Sequence, residues 1–407
     1  MKKSQLEKFS ALVLEKGVNL QPNQGLEISC PVERADFARI MSKVAYKMGA
    51  KLVRISYNDE IIDKLTYENA KTEVLTSVPK WFIDKKESLV KENFCYVCLS
   101  SENPSLFKNV SGEKLLAVSK ARSKALKKYS DAIMSNQIRW CVVSLPTKDW
   151  AKQVFPTDKN AAKLLEDAIL YTMRLNEIDP VKSWENHVEL LNKRAKILND
   201  NNFKYLHFTS NFGTDLKVGL SRNHVWISAE EKSADGVNFI ANMPTEEIFT
   251  APDCNNVEGV VFSAKPLSYN GQIIDNFSLT FKKGSVVSFT AEKGYDCLKN
   301  LINTDKGTKK LGEVALIDNS SPVGKCNILF YNTLFDENAS CHLALGKGYP
   351  TTVKNGDKLS IKQLKQLGVN DSIEHVDFMI GFSDITCVGV KENGENLTLI
   401  KNGNWVI

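Results

Sequence analysis

The sequence predicts a two-domain α+β/α/β protein, with an N-terminal α/β domain built on a mostly parallel sheet (residues 1–180) and a C-terminal, β-rich mixed domain (residues 181–407). Three observations predict it. At 407 residues the chain is longer than one hydrophobic core usually serves. Before position 180, strand-like apolar runs alternate with helix-period stretches, the pattern of βαβ units. After position 200, short alternating runs are separated by turn residues, the pattern of hairpins.

The elements follow in order. MKKSQLEKFSALVLEKG begins with a basic pair, but Glu7, Lys8 and Glu15 interrupt any apolar signal core, so it reads as an amphipathic first helix. LEISC, ERADFARIMSKVAYKMGA and KLVRISY then read as strand, helix and strand. NFCYVCLS and RWCVVSLP repeat the strand signal around a helix-like stretch at 113–129. No glycine-rich phosphate loop follows these strands, which speaks against nucleotide binding there. Cys95 and Cys98 form a lone CxxC inside an apolar strand and read as buried thiols. DKNAAKLLEDAILYTMRLNEIDP is helical up to Asp179-Pro180, where proline disfavours continuation, and this places a domain boundary near 178–185. SWENHVELLNKRAKILND is the helix that opens the second part. KYLHFTS, TDLKVGL, HVWISA, GVVFSAK, DNFSLTFK and SVVSFTAE read as strands, with turns at Asn270-Gly271 and Lys282-Lys283-Gly284.

Composition excludes several function classes. Hydrophobic content of 43% with 25% charged residues fits a soluble globular protein. No apolar run approaches the roughly 18 residues of a membrane span, so no membrane partner is expected. Nine scattered cysteines, an odd number, resemble neither a disulfide framework nor a paired zinc ribbon, and a cytoplasmic location is expected. Residues 1–178 carry 29 Lys+Arg against 21 Asp+Glu, and the remainder 24 against 27. The most basic stretch, KARSKALKKYSD at 120–131, lacks interleaved aromatics and reads as a solvated helix face, so no nucleic-acid partner is expected.

Two of the five histidines sit beside carboxylates in apolar surroundings. In SIEHVDFMIGF, strand alternation makes His375 and Asp377 project the same way, so they can share one ion. In LFDENASCHLALG the five-residue spacing of Glu337 and His342 is awkward on one helical face. The two converge if Glu337 precedes or begins a helix, with Asp336 or Asn338 as its cap. Cys341 reads as a packed thiol. ANMPTEEIFTAPD adds Glu246 and Glu247, and KLGEVALID places Glu313 at the mouth of a buried strand. Carboxylates at apolar borders need compensation, which a divalent metal supplies. Mixed oxygen and nitrogen donors suit zinc, cobalt or manganese better than calcium. Six such groups fit two ions roughly 3.5–4 Å apart joined by a bridging carboxylate. His187, His207 and His224 lack an acidic partner at metal spacing and read as packing or surface residues.

NMPTEEIFTAPD, LGEVALID, NTLFDENASCHLALGKGYP and EHVDFMIG, in this order, closely resemble the metallo-aminopeptidases typified by aminopeptidase T and aminopeptidase S, and TKDWAKQVFP is a further shared phrase. The resemblance covers essentially the whole chain. It implies metal ligands at Glu247, Glu313, Glu337, His342, His375 and Asp377, with Glu313 bridging two divalent ions (zinc, cobalt, manganese or magnesium), and an active-site tyrosine at Tyr349. It further implies a homodimer with a C-terminal catalytic domain that removes the first residue of peptides with a free N-terminus. Glu246 and Glu374, each next to a ligand, are candidates for the proton shuttle. Another two-metal hydrolase (a dipeptidase or amidase) and a non-catalytic peptide- or metal-binding protein of the same fold are the alternative readings.

Overall fold

A computed structural model describes every residue of the chain except Glu102 and Gly271, so the second residue of the expected Asn270-Gly271 turn lies outside the described residues. The fold is mixed α/β, with one parallel sheet and several antiparallel ones. The chain divides into two compact units, Met1–His187 with Glu230–Pro244, and Val188–Ala229 with Thr245–Ile407.

In the first unit four parallel strands lie in the spatial order Leu52–Asn58, Gly25–Pro31, Cys95–Leu99, Trp140–Val143. Parallel neighbours need crossover connections, and helices Ala35–Lys47, Lys80–Lys91 and Gly112–Ala125 lie within them. Register puts Leu26 beside Cys95 and Ile28 beside Val97, and all four are buried. Each such aliphatic side chain removed from water contributes roughly 1.5–3 kcal/mol. Helix Ala35–Lys47 buries Phe37, Ala38, Met41 and Ala45, and the Phe37 ring meets Phe9 of the first helix, Lys3–Leu12, at 5.4 Å. Cys95 and Cys98 stand on opposite faces of their strand, beside Leu26 and Ser29, so they cannot act as a pair. In the 120–131 stretch, Lys127 pairs with Asp131 and Lys128 with Glu87, both at 2.6 Å on exposed helix surfaces. Pro180 begins a helix, Pro180–Asn201, rather than merely ending the preceding one. Asp179 Oδ1 accepts the Lys182 N–H at 3.0 Å, so Asp179 caps and Pro180 takes the first helical position, where its missing N–H is harmless.

The second unit contains a nine-stranded sheet in which strands such as Tyr205–Thr209, Asp215–Leu220, Pro252–Phe262 and Gln272–Lys282 pair antiparallel. Its inward side chains, including Leu206, Phe208, Val218, Val261, Leu279 and Phe281, join one buried core. The hairpin between Gln272–Lys282 and Ser285–Lys293 turns at Lys283 and Gly284, both with positive φ (49° and 78°), the backbone a two-residue turn needs. HVWISA is not a strand: it makes only isolated bridges, His224 with Val353 and Ile227 with Phe249.

A separate four-stranded antiparallel sheet runs His375–Met379, His342–Gly346, Leu311–Leu316, Ile248–Thr250. One face, formed by Val314, Leu316, Leu343, Leu345, Val376 and Phe378, enters the core. The register assigns Glu313, His342, His375 and Asp377 to the other face, with Ala315 and Ala344 between them. Strict alternation would put Leu311 and Glu313 on the same face. A bulge between them separates the two, so that Leu311 opposes Leu345 in the core while Glu313 opposes Ala344. Gly312 sits at this bulge, where a Cβ would lie 2.4 Å from the Gly346 and Lys347 carbonyl oxygens, so a glycine is required.

Candidate metal centre

The sheet delivers its polar face as a tight cluster. His342 Nε2 lies 3.2 Å from Glu247 Oε2, 3.2 Å from Glu313 Oε1 and 3.8 Å from Asp377 Oδ1. His375 Nε2 lies 3.7 Å from Glu313 Oε2 and 3.3 Å from Asp377 Oδ1. Two triads result, Glu247–Glu313–His342 and Glu313–His375–Asp377, each with its ligand atoms within 4.8 Å of one another. Glu313 belongs to both, with one carboxylate oxygen near each histidine.

Both imidazoles are oriented by backbone. His342 Nδ1 faces the Glu337 carbonyl at 2.8 Å and His375 Nδ1 faces the Lys347 carbonyl at 2.6 Å. A carbonyl only accepts, so each Nδ1 carries a proton and each Nε2 is directed into the cluster.

Burial and mutual repulsion set the charges. Burial pushes Glu313 up to about 7, with the His342 hydrogen bond and the His375 charge pulling the other way. Burial, then the charges of Asp377 and Glu247, raise Glu337 well above the usual carboxylate range. Burial opposes the imidazolium of His342, yet its bonds to Glu247 and Glu313 carry it well above its ordinary value. His375 is likewise opposed by burial and raised to about 10, chiefly by the Asp377 charge. Burial also works against the Asp377 carboxylate, but the His375 charge and hydrogen bonding hold it below its usual value. Protons on the histidines thus offset a buried concentration of acids, a role that cations fill better.

Glu337 begins a helical turn, as the sequence-based expectation has it, but a 3-10 one. Helix Thr333–Asp336 comes before it, and Glu337 opens a 3-10 turn, Glu337–Ala339, that leads into strand His342–Gly346. The change from helix to strand overcomes the awkward spacing. Asp336 occupies the N-cap position of the 3-10 turn but makes no side-chain cap bond, and Asn338 lies inside it; Asn332 caps the preceding helix, its side chain accepting the Leu334 N–H at 3.1 Å. Asp336 instead accepts the Phe330 and Asn332 N–H groups at 2.8 and 3.0 Å, and burial pushes it up to about 7. The Glu337 carboxylate lies outside both triads. Cys341 is buried against the Ile317 backbone, and burial pushes its thiol up to about 11, which suits a packed thiol.

Tyr349 stands beside the cluster, its ring 5.1 Å from His375 and 6.0 Å from Phe249. The Glu374 carboxyl interacts with the Tyr269 side chain. Among the remaining histidines, His207 pairs with Asp215 at 2.7 Å, His187 packs edge-on against Trp184, and buried His224 turns Nδ1 to the Ser221 carbonyl. Sequence reasoning passed over Phe249, and it read Asn338 only as a cap. Neither role carries a local signal, because Phe249 meets Tyr349, and Asn338 meets Glu246, across long stretches of sequence.

Comparison with known proteins gives a consistent picture. A profile of the family described as Thermophilic metalloprotease (M29) matches residues 2–405. The chain is 42% identical over 402 residues to Aminopeptidase AmpS of Bacillus subtilis (strain 168), covering 98% of each. It is 34% identical over 407 residues to Aminopeptidase T of Thermus thermophilus, covering 100% of this chain and 99% of the other. The solved structure of wild-type AmpT from Thermus thermophilus superposes with a TM-score of 0.92 at 33% identity, with both chains fully covered.

Proposed function

The chain belongs to the Thermophilic metalloprotease (M29) family, and from that premise we propose that it is a metal-dependent aminopeptidase whose site holds two divalent ions, zinc, cobalt, manganese or magnesium. The ligands in this reading are Glu247, Glu313, Glu337, His342, His375 and Asp377. One observation carries it: the two oxygens of Glu313 face separate histidine triads, as a bridging carboxylate requires. The donor set fits such ions, because it is all oxygen and imidazole nitrogen and its four carboxylates formally balance two dications. Asp377 Oδ1 supports the fit as well, being buried without a hydrogen-bond partner of good geometry.

Bound divalent ions would supply Lewis acidity toward the scissile carbonyl and toward the attacking water. The residues do the rest. The histidines present fixed Nε2 atoms because their Nδ1 protons are held by backbone carbonyls. In this reading Tyr349, whose ring lies 5.1 Å from His375, donates its hydroxyl in a hydrogen bond to the oxyanion that develops at the carbonyl. In the same reading residues 181–407 form the catalytic domain and 1–180 the α/β domain. The cytoplasm is the proposed location, supported by nine cysteines that are all free thiols. The proposed homodimer rests on family resemblance alone.

Two expected outcomes arise here. An unblocked leucine anilide and a longer unblocked peptide are hydrolysed, whereas the N-acetylated peptide is spared. Cleavage of the blocked peptide would instead point to an amidase or endopeptidase, and no cleavage with any of the four metals would point to a binding protein. Tyr349→Phe lowers kcat by on the order of 10²-fold with KM within about twofold, because the lost hydrogen bond strengthens only in the transition state. Unchanged kcat would remove Tyr349 from this role.

A further inference from the structure

The two histidines of the candidate centre are oriented by backbone carbonyls, but the segments that carry Glu247 and Glu337 meet through a side chain. Asn338 is fully buried and links parts of the chain 92 residues apart. Its Oδ1 accepts the Glu246 N–H at 2.7 Å, one peptide before Glu247. Its Nδ2 donates to the Leu334 carbonyl at 2.9 Å and, in a longer contact of 3.4 Å, to Glu337 Oε1. The amide orientation is determined by its partners, since the Glu246 N–H can only donate and the Leu334 carbonyl can only accept. A side chain of this length with an acceptor on one branch and a donor on the other is therefore required. Aspartate has the shape without the donor, and alanine has neither.

We infer that Asn338 is a positioning residue that sets the spacing of Glu247 and Glu337 across the centre and thereby the affinity of the site for divalent ions. The inference rests on the reading that these two carboxylates are ligands. Partners that orient metal ligands from behind change metal affinity by roughly 10- to 100-fold when removed. The Asn338-Ala339-Ser340 sequence also fits a glycosylation acceptor, but the full burial of the amide leaves it no access in the folded protein.

The test uses the full chain, stripped by chelation and titrated with cobalt, which reports occupancy by its visible absorption. Asn338→Asp keeps the acceptor for the Glu246 N–H but replaces the donor with a carboxylate oxygen facing Glu337, so it binds cobalt about 10-fold more weakly. Asn338→Ala loses both and binds about 100-fold more weakly. The order wild type, Asn338→Asp, Asn338→Ala supports two separable contacts, and far-UV circular dichroism of the metal-free proteins reports whether the fold is kept. Wild-type cobalt affinity in either folded variant, alongside loss of binding in Glu313→Gln, overturns the inference and leaves the ligand reading intact. Unfolding of both metal-free variants also overturns it, because Asn338 would then serve the fold. Wild-type binding by Glu313→Gln overturns the ligand reading and the inference with it.

Discussion

Glu313→Gln is expected to lower kcat/KM by on the order of 10³-fold or more and to reduce bound metal from two equivalents to at most one. The substitution preserves shape while removing the charge that both triads share. Glu313 Oε1 lies 3.2 Å from His342 Nε2 and Oε2 3.7 Å from His375 Nε2, and among the described residues Glu313 is the member common to both triads. A Lewis-acid contribution of several kcal/mol corresponds to three or more powers of ten in rate. Asp377→Asn, which alters a member of the second triad only, is expected to retain one equivalent. Metal analysis of the two purified variants separates the cases. Two equivalents retained by Glu313→Gln would remove it from the bridge.

Chelation is expected to abolish activity and to make stability fall with rising pH. At an ion concentration 1,000 times Kd, each bound ion contributes about 4 kcal/mol. Losing both therefore corresponds to a drop in Tm of roughly 15–30 °C for a domain of this size. The pH dependence follows from the metal-free charges. His375 is raised to about 10 in the folded protein, so its contribution is complete below its ordinary value of 6.5 and disappears as pH rises through about 10. Glu313 is raised from 4.5 to about 7, so its contribution is complete below 4.5 and disappears as pH rises through about 7. Asp377 is lowered and works the other way, stabilising at neutral pH and losing its contribution only in acid. Glu337 and His342 are raised too and act in the same direction, so the window set by Glu313 and His375 runs from about pH 4.5 to 10. Thermal melts of chelated protein should decline across this range, while metal-loaded protein, whose ligands are already deprotonated, should stay nearly flat. A flat chelated profile would contradict the charge assignment.

The sequence carries much of the fold where the determinants are local. Residues 25–58 read as strand, helix and strand because the apolar period changes from 2 to 3.6 and back, and strands Gly25–Pro31 and Leu52–Asn58 do flank helix Ala35–Lys47. Lys283-Gly284 is legible because a tight turn needs positive φ. What stays hidden is set by distant partners. HVWISA has the composition of a strand, but a strand needs a neighbouring edge, and its backbone bonds go instead to Thr352 and Phe249. Alternation counted from Leu311 would assign Glu313 to the core face, because the bulge at Gly312 is fixed by pairing with Leu345 and Ala344. The convergence of Glu337 and His342 depends on a helix giving way to a strand within a few residues, and spacing arithmetic assumes one period throughout. His375 and Asp377, two apart on one strand, are the pair that simple alternation brings together, and their side chains lie 3.3 Å apart.

The proposed reaction depends on a pair of cations sharing Glu313. Anomalous diffraction at the zinc edge, from crystals of zinc-loaded protein, tests this most directly. Two peaks about 3.5–4 Å apart, one beside His342 and one beside His375 with the Glu313 carboxylate between them, are the expected result. A single peak, or peaks away from these residues, would contradict it.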